Sequence, residues 1–148
     1  MGKPLTQMVP DFREALEEGV QQAAETVVRD LQVAGPYWTG FFADMWQVNV
    51  GTTAIKANLP SMEPERKEPK TDREYVRVFV PDSPNLQGYT IGNRADYRLY
   101  AMDILNGGPR AQPGARLTAP KQWYDRYINS EMRSVIGEQI TNVFRRYT

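Results

Sequence analysis

The sequence predicts an α+β fold: a small, mostly antiparallel sheet covered by helices at the N-terminal and C-terminal ends of the chain, with one long projecting loop. Three observations carry this. Apolar residues recur at spacings of three and four near both termini, the pattern changes to strict alternation at Met45 to Val50 and again at Tyr75 to Val80, and no internal repeat breaks that order. Helices at both ends with strands between them are satisfied when the helices cover one face of a sheet.

The chain has 148 residues, the length of one domain, so residues 1–148 are expected to share a single core. A domain of this size buries roughly 68 to 70% of its unfolded surface.

The first element is a helix over residues 11 to 34. Phe12, Leu16, Val20, Ala23, Val27 and Leu31 form one apolar stripe. Asp11 with Glu14 reads as a capping box at its start, and Gly35-Pro36 as its stop. From Met45 to Val50 the stripe gives way to alternation, with Trp46, Val48 and Val50 on one face, which predicts a half-buried strand. A second strand is expected at Tyr75 to Val80, with Val76, Val78 and Val80 toward the core and Pro81 ending its ladder.

Between these strands, residues 58 to 74 hold three prolines, charges of both signs and few large hydrophobes. Such a stretch contributes little to a core and is read as a projecting loop. Next comes a helix capped by Asn93, with Tyr97, Tyr100, Ala101, Ile104 and Leu105 on one face and a break at Gly107-Gly108-Pro109. A connector rich in Pro, Gly and Arg spans residues 109 to 120. Pro120 then leads into a terminal stripe of Tyr124, Tyr127, Ile128, Met132, Val135 and Ile136, continued by Ile140, Val143 and Phe144. Asn129, Ser130 and Gly137 weaken that helix, and a break is expected near Ile128 to Ser130.

Composition removes several classes of function. Lys plus Arg and Asp plus Glu each number 18, so no net field holds the protein on nucleic acid or an anionic membrane. The absence of Cys and His excludes disulfides, thiolate nucleophiles, imidazole bases and the nitrogen or sulfur ligands of zinc. No apolar run approaches the roughly 20 residues of a membrane span, and no signal pattern opens the chain, so it is expected in the cytoplasm where it is made.

Four constellations remain as candidates. The Pro36 to Gly40 turn is either a plain helix-to-strand turn or a subunit contact through Trp38 or Phe41. Arg94, Tyr97, Arg98 and Tyr100, with Trp123, Tyr124, Arg126 and Tyr127, interleave cations with aromatics, a pattern that stacks bases or packs on a neighbouring subunit. Periodicity assigns most of the tyrosines to the core. Asp96 and Asp103 lie seven apart on one helix and are the residual pair for acid-base or magnesium chemistry, although no phosphate loop accompanies them and solvated faces explain such spacings. The loop offers Met62, Glu65, Arg66 and Lys67 to a partner that it reaches and folds upon.

The segment VVRDLQVAGPYWTGFFADMWQVNVG sets a helix, then Pro36, then Thr39-Gly40, then Trp46 at a strand start. Tyr100-Ala101 runs toward Gly107, and Pro120 and Trp123 precede the last helix. In this order the motifs resemble the tail-completion and head-tail joining family of tailed bacteriophages over about residues 11 to 147. Met45 stands where that family usually has Ser, Asn106 where it often has an acidic or aromatic residue, and the 58 to 74 loop is long for it.

The resemblance implies a non-enzymatic structural protein of the virion neck, without cofactor or metal. It would form a homo-oligomeric ring, sixfold in the family, that completes the tail end and joins the head connector. Its neighbours would be neck and tail-tube proteins, DNA would pass the channel without specific binding, and assembly would take place in the host cytoplasm. Trp38, Phe41, Met62, Glu65, Arg66, Lys67, Arg94 and Trp123 are the expected subunit or partner contacts. A head-side adaptor or stopper is the alternative within this class, and a soluble peptide- or protein-binding module is the alternative outside it.

Overall fold

The computed structural model describes residues 5–37, 41–56, 72–83, 86–95, 98–102, 119–120 and 122–147. Its longest element is the helix α1, Leu5–Ala34. The 3–4 spacing of Ala23, Ala24, Val27, Val28 and Leu31 drives it, since all are buried. It starts upstream of the expected Asp11 cap and runs through Pro10. A proline near a helix start removes one backbone donor, a loss that a 30-residue helix with a buried face outweighs.

α1 ends at Gly35, whose N–H donates to the Leu31 carbonyl at 3.1 Å. A side chain there would sit 2.9 Å from the Trp123 ring, so close packing as well as helix termination requires glycine. A short helix α2, Phe41–Asp44, leads into β1, Trp46–Val50. Trp46 and Val48 face inward, as the alternation predicts.

The partner of β1 is β2, Tyr89–Asn93, an element the sequence reading did not assign. The pair is antiparallel, with Trp46 opposite Asn93, Val48 opposite Ile91 and Val50 opposite Tyr89. Gly51 N–H to Gly88 carbonyl (2.9 Å) and Arg94 N–H to Met45 carbonyl (2.9 Å) extend the ladder at its two ends. A lone two-stranded ribbon is marginal in water, so helix packing on its apolar face is what holds it.

Tyr75 to Val80 is not a strand. Residues 72–83 instead form an extended strap antiparallel to α1, with no backbone ladder to another strand. Val78 and Val80 do turn inward, but Val76 is exposed.

Asn93 ends β2 and caps no helix. Its buried amide accepts from the Ala95 N–H (3.0 Å) and donates to the Phe42 carbonyl (2.9 Å), an Asx turn that fastens the sheet to α2. The helix expected from Asn93 is represented by α3, Arg98–Ala101. Residues 58 to 71 of the expected loop, and the connector up to residue 118, lie outside the described residues.

The terminal segment begins with α4, Trp123–Arg126, passes through a π-helical turn at Tyr127–Glu131 and continues as α5, Met132–Tyr147. The expected break is thus a widened turn at the expected place, which redirects the apolar stripe without ending the helix. Its entry residue Gln122 has φ of +56°, a left-handed conformation that sets the helix direction in Pro120's stead.

α5 packs antiparallel against α1. Gly19 lets the two backbones approach, since a Cβ there would lie 3.1 Å from Ile140 Cα. Phe12 meets Phe144 with ring centroids 5.1 Å apart, and Arg146 bonds Glu18 at 2.9 Å. The core between α1, the sheet and α4 gathers Val27, Leu31, Phe42, Trp46, Trp123 and Tyr127. The result is an α+β fold with N-terminal and C-terminal helices over a two-stranded antiparallel sheet.

Candidate interaction surface

The strap is held by side chains where a strand would be held by backbone. Gln32 on α1 is 1% exposed, and its Nε2 donates to the Val76 carbonyl (2.7 Å) and the Ala43 carbonyl (3.0 Å). About three turns upstream on the same face of α1, Gln21 Nε2 donates to the Val80 carbonyl (3.3 Å) and to Asp82 (3.0 Å). At the other end the Tyr37 hydroxyl donates to the Glu74 carbonyl and accepts from the Glu74 N–H, both at 3.0 Å. The buried Gln32 amide persists because each of its hydrogen bonds replaces one lost to water.

Cations clamp the same end. The Arg29 guanidinium lies 4.9 Å from the Tyr75 ring centre and Arg73 lies 5.7 Å from that of Tyr37. The mid-strap residues Arg77, Val78 and Phe79 make no backbone hydrogen bond among the described residues. Solvent meets Phe79, 80% exposed, and Val76, 60% exposed, with the exposed Arg77 between them. The anchored segment thus holds an aromatic ring in water, within reach of a partner.

A second feature is concave. A groove of about 370 Å³ opens between α1 (Val20, Ala23, Ala24, Val27, Leu31), β2 (Tyr89, Ile91) and the terminal helix (Tyr124, Ile128, Met132, Ile136). Among the described residues no charged side chain lines it. The Tyr89 hydroxyl donates to the Pro81 carbonyl at 2.7 Å, joining the groove wall to the strap end. The Tyr124 hydroxyl has no hydrogen-bond partner among the described residues, and its ring stacks on Trp46 at 6.3 Å. Burial pushes the Tyr124 and Tyr89 phenols up from their ordinary value, helped by Asp125 and by Asp82 respectively. Both are therefore neutral donors near pH 7. A third depression, lined by Glu14, Glu17, Glu18 and Asp82, is acidic.

The expected contact residues fare unequally. Trp123 is not a surface residue: it is 3% exposed, its indole N–H donates to the Ala101 carbonyl at 2.8 Å, and Phe42 and Tyr124 meet its ring edge-on. Its bulk fills the space opened by Gly35, which is why it serves the core and presents nothing to a partner. Arg94 sits half-buried just past β2, and its guanidinium pairs with no acid among the described residues. Phe41 opens α2, with its side chain outside the described set. Trp38, Met62, Glu65, Arg66 and Lys67 lie outside the described residues, as do Asp96 and Asp103.

Tyr37, Gln21, Gln32 and Phe79 were not among the expected contacts. Phe79 carried a signal, since alternation placed it on the face opposite the core valines. The glutamines carried none, because a polar residue on a helix reads as solvated until its partner is known.

Among the described residues no group of three acidic, His or Cys side chains is placed to hold a metal ion, and no helix is long and apolar enough to cross a membrane. Comparison with known proteins found no match to any family model, curated protein or solved structure.

Proposed function

We propose that the chain is a structural subunit of a tailed-phage neck, copies of which close into a ring that completes the tail end and joins it to the head connector. The observation that carries this reading is the strap, which the buried Gln32 and the half-buried Gln21 anchor while Phe79 and Val76 stay in solvent. A monomer gains nothing from that arrangement, whereas an assembling subunit covers it. The order of the Pro36, Thr39-Gly40, Trp46 and Tyr100-Ala101 motifs supports the neck in particular.

The mechanism in this reading is shape and valency. Each copy repeats one contact, and the contacts around a closed ring add to a stable junction without any single tight pair. Balanced charge suits the role, because copies meet without long-range repulsion and DNA passing the lumen is not gripped. Such a ring belongs to the virion, with six copies as the family resemblance implies.

The apolar groove favours one other reading, a module that binds a single apolar ligand as a monomer. Negative-stain imaging separates the two: uniform annular particles support the ring, and featureless monomers that take up an apolar ligand support the module.

A further inference from the structure

We infer that the subunit contact is a tooth and a socket: Phe79 on the strap of one copy enters the apolar groove of the next. Both halves are in the chain. The tooth is a Phe ring 80% exposed, two residues after the exposed Arg77, on a segment fixed by Gln21 and Gln32. The socket is the groove of about 370 Å³ walled by Val20, Ala23, Val27, Ile91, Ile128 and Met132. An apolar cavity of about 150 Å³ already accepts benzene, so the groove has room for the ring and for a neighbouring aliphatic side chain.

Polar chemistry matches as well. The carbonyls of Arg77, Val78 and Phe79 have no partner among the described residues, and the groove wall offers the Tyr124 hydroxyl, a donor that also has none. A strap carbonyl beside the tooth accepts from Tyr124 when the ring is seated. A second copy therefore satisfies three features at once: the exposed ring, the open groove and the unpaired donor. A small apolar ligand fills only the groove and leaves both Phe79 and the Tyr124 hydroxyl to water.

The placement bears on the symmetry. Strap and groove lie on faces of α1 about 100° apart, because Gln21 and Gln32 succeed Val20 and Leu31 by one residue each. Tooth and socket are different surfaces of the same molecule, so a contact not returned by the same neighbour is heterologous and repeats from copy to copy, closing into a ring or running on as a filament, whereas two copies that exchange teeth close as a twofold pair. The ring reading is needed only for closure, and the contact stands on its own.

The test uses the whole chain. Phe79 is replaced by p-benzoylphenylalanine, a photoreactive aromatic, and isotopically labelled and unlabelled copies are mixed and irradiated. Cross-links between copies at Ile128, Met132 or Ile136 are expected. In parallel, Phe79→Asp is expected to raise the self-association constant for dissociation about tenfold or more, with an unchanged unfolding curve because the residue is exposed.

Cross-links confined to other surfaces, association indifferent to Phe79→Asp, or a wild-type chain that stays monomeric at high micromolar concentration would overturn the contact. So would a monomer whose groove binds anilinonaphthalene sulfonate that added protein fails to displace. Rings that form with cross-links elsewhere would sink the tooth and keep the ring. Filaments that depend on Phe79 would keep the tooth and sink the ring.

Discussion

The Tyr127 hydroxyl donates to Asp30 Oδ2 at 2.8 Å, joining the π-helical turn of the terminal helix to the last third of α1 across 97 residues of sequence. Burial raises the Tyr127 phenol far above its ordinary value, and the hydrogen bond to Asp30 and the Asp30 charge raise it further. The unfolded phenol ionises near pH 10 while the folded one stays protonated, so the folded state binds more protons above that pH. Stability is therefore fully present below about pH 10 and falls as pH rises toward the folded value. Thermal melts between pH 8 and 11 are expected to show this fall in the wild type and a shallower one in Tyr127→Phe. At neutral pH the same variant should lose about 1 kcal/mol.

Two tryptophans in one core respond differently to loss of the indole N–H. Trp123 donates to Ala101, whereas the buried Trp46 Nε1 has no partner among the described residues. Trp123→Phe leaves a carbonyl without its donor, and Trp46→Phe removes an unsatisfied group. Both create space, so the informative quantity is the difference: urea unfolding should place Trp123→Phe about 1 kcal/mol or more below Trp46→Phe. Equal losses would contradict the assigned hydrogen bonds.

Gln32 carries the strap. Gln32→Ala leaves the Val76 and Ala43 carbonyls without their donor and should cost about 1 to 3 kcal/mol. Release of the strap should also speed tryptic cleavage at Arg73 and Arg77 under native conditions, ahead of cleavage in α1. Cleavage at an unchanged rate would mean that other contacts hold the segment.

Gly35 tests the packing of helix end against Trp123. A methyl group there would lie 2.9 Å from the indole, inside van der Waals contact, and the ring is enclosed. Gly35→Ala is expected to destabilise by about 1 to 3 kcal/mol, the usual cost of overpacking, despite alanine's better helix propensity. A neutral outcome would show that Trp123 has room to shift.

The fold class, the long first helix, the strand at Trp46 and the weak point in the terminal helix were legible because each rests on a local periodicity. β2 was not: Gly92 and Asn93 are poor strand formers, and only pairing with Gln47 and Trp46 makes five residues a strand. Tyr75 to Val80 failed in the opposite sense. It has the propensity and alternation of a strand, yet Gln32 and Asp44 take up the backbone groups of Val76, Gln21 takes up the Val80 carbonyl, and no neighbour among the described residues completes a ladder.

Of the candidate surface, alternation foretold that Phe79 faces away from the core. Trp123 misled, because a tryptophan among cations reads as a stacking platform, and only the cleft left by Gly35 reveals where the ring goes. The groove was illegible in principle, since its walls come from three elements far apart in sequence.

The central claim is self-assembly into a closed ring, and the most direct test is the mass distribution of the purified protein by mass photometry from nanomolar concentration upward, with negative-stain imaging of the micromolar sample. A discrete multiple of the 16.9 kDa chain is expected to grow in with concentration and to coincide with annular particles of one size. A single monomer peak throughout, with no annular particles, would contradict it.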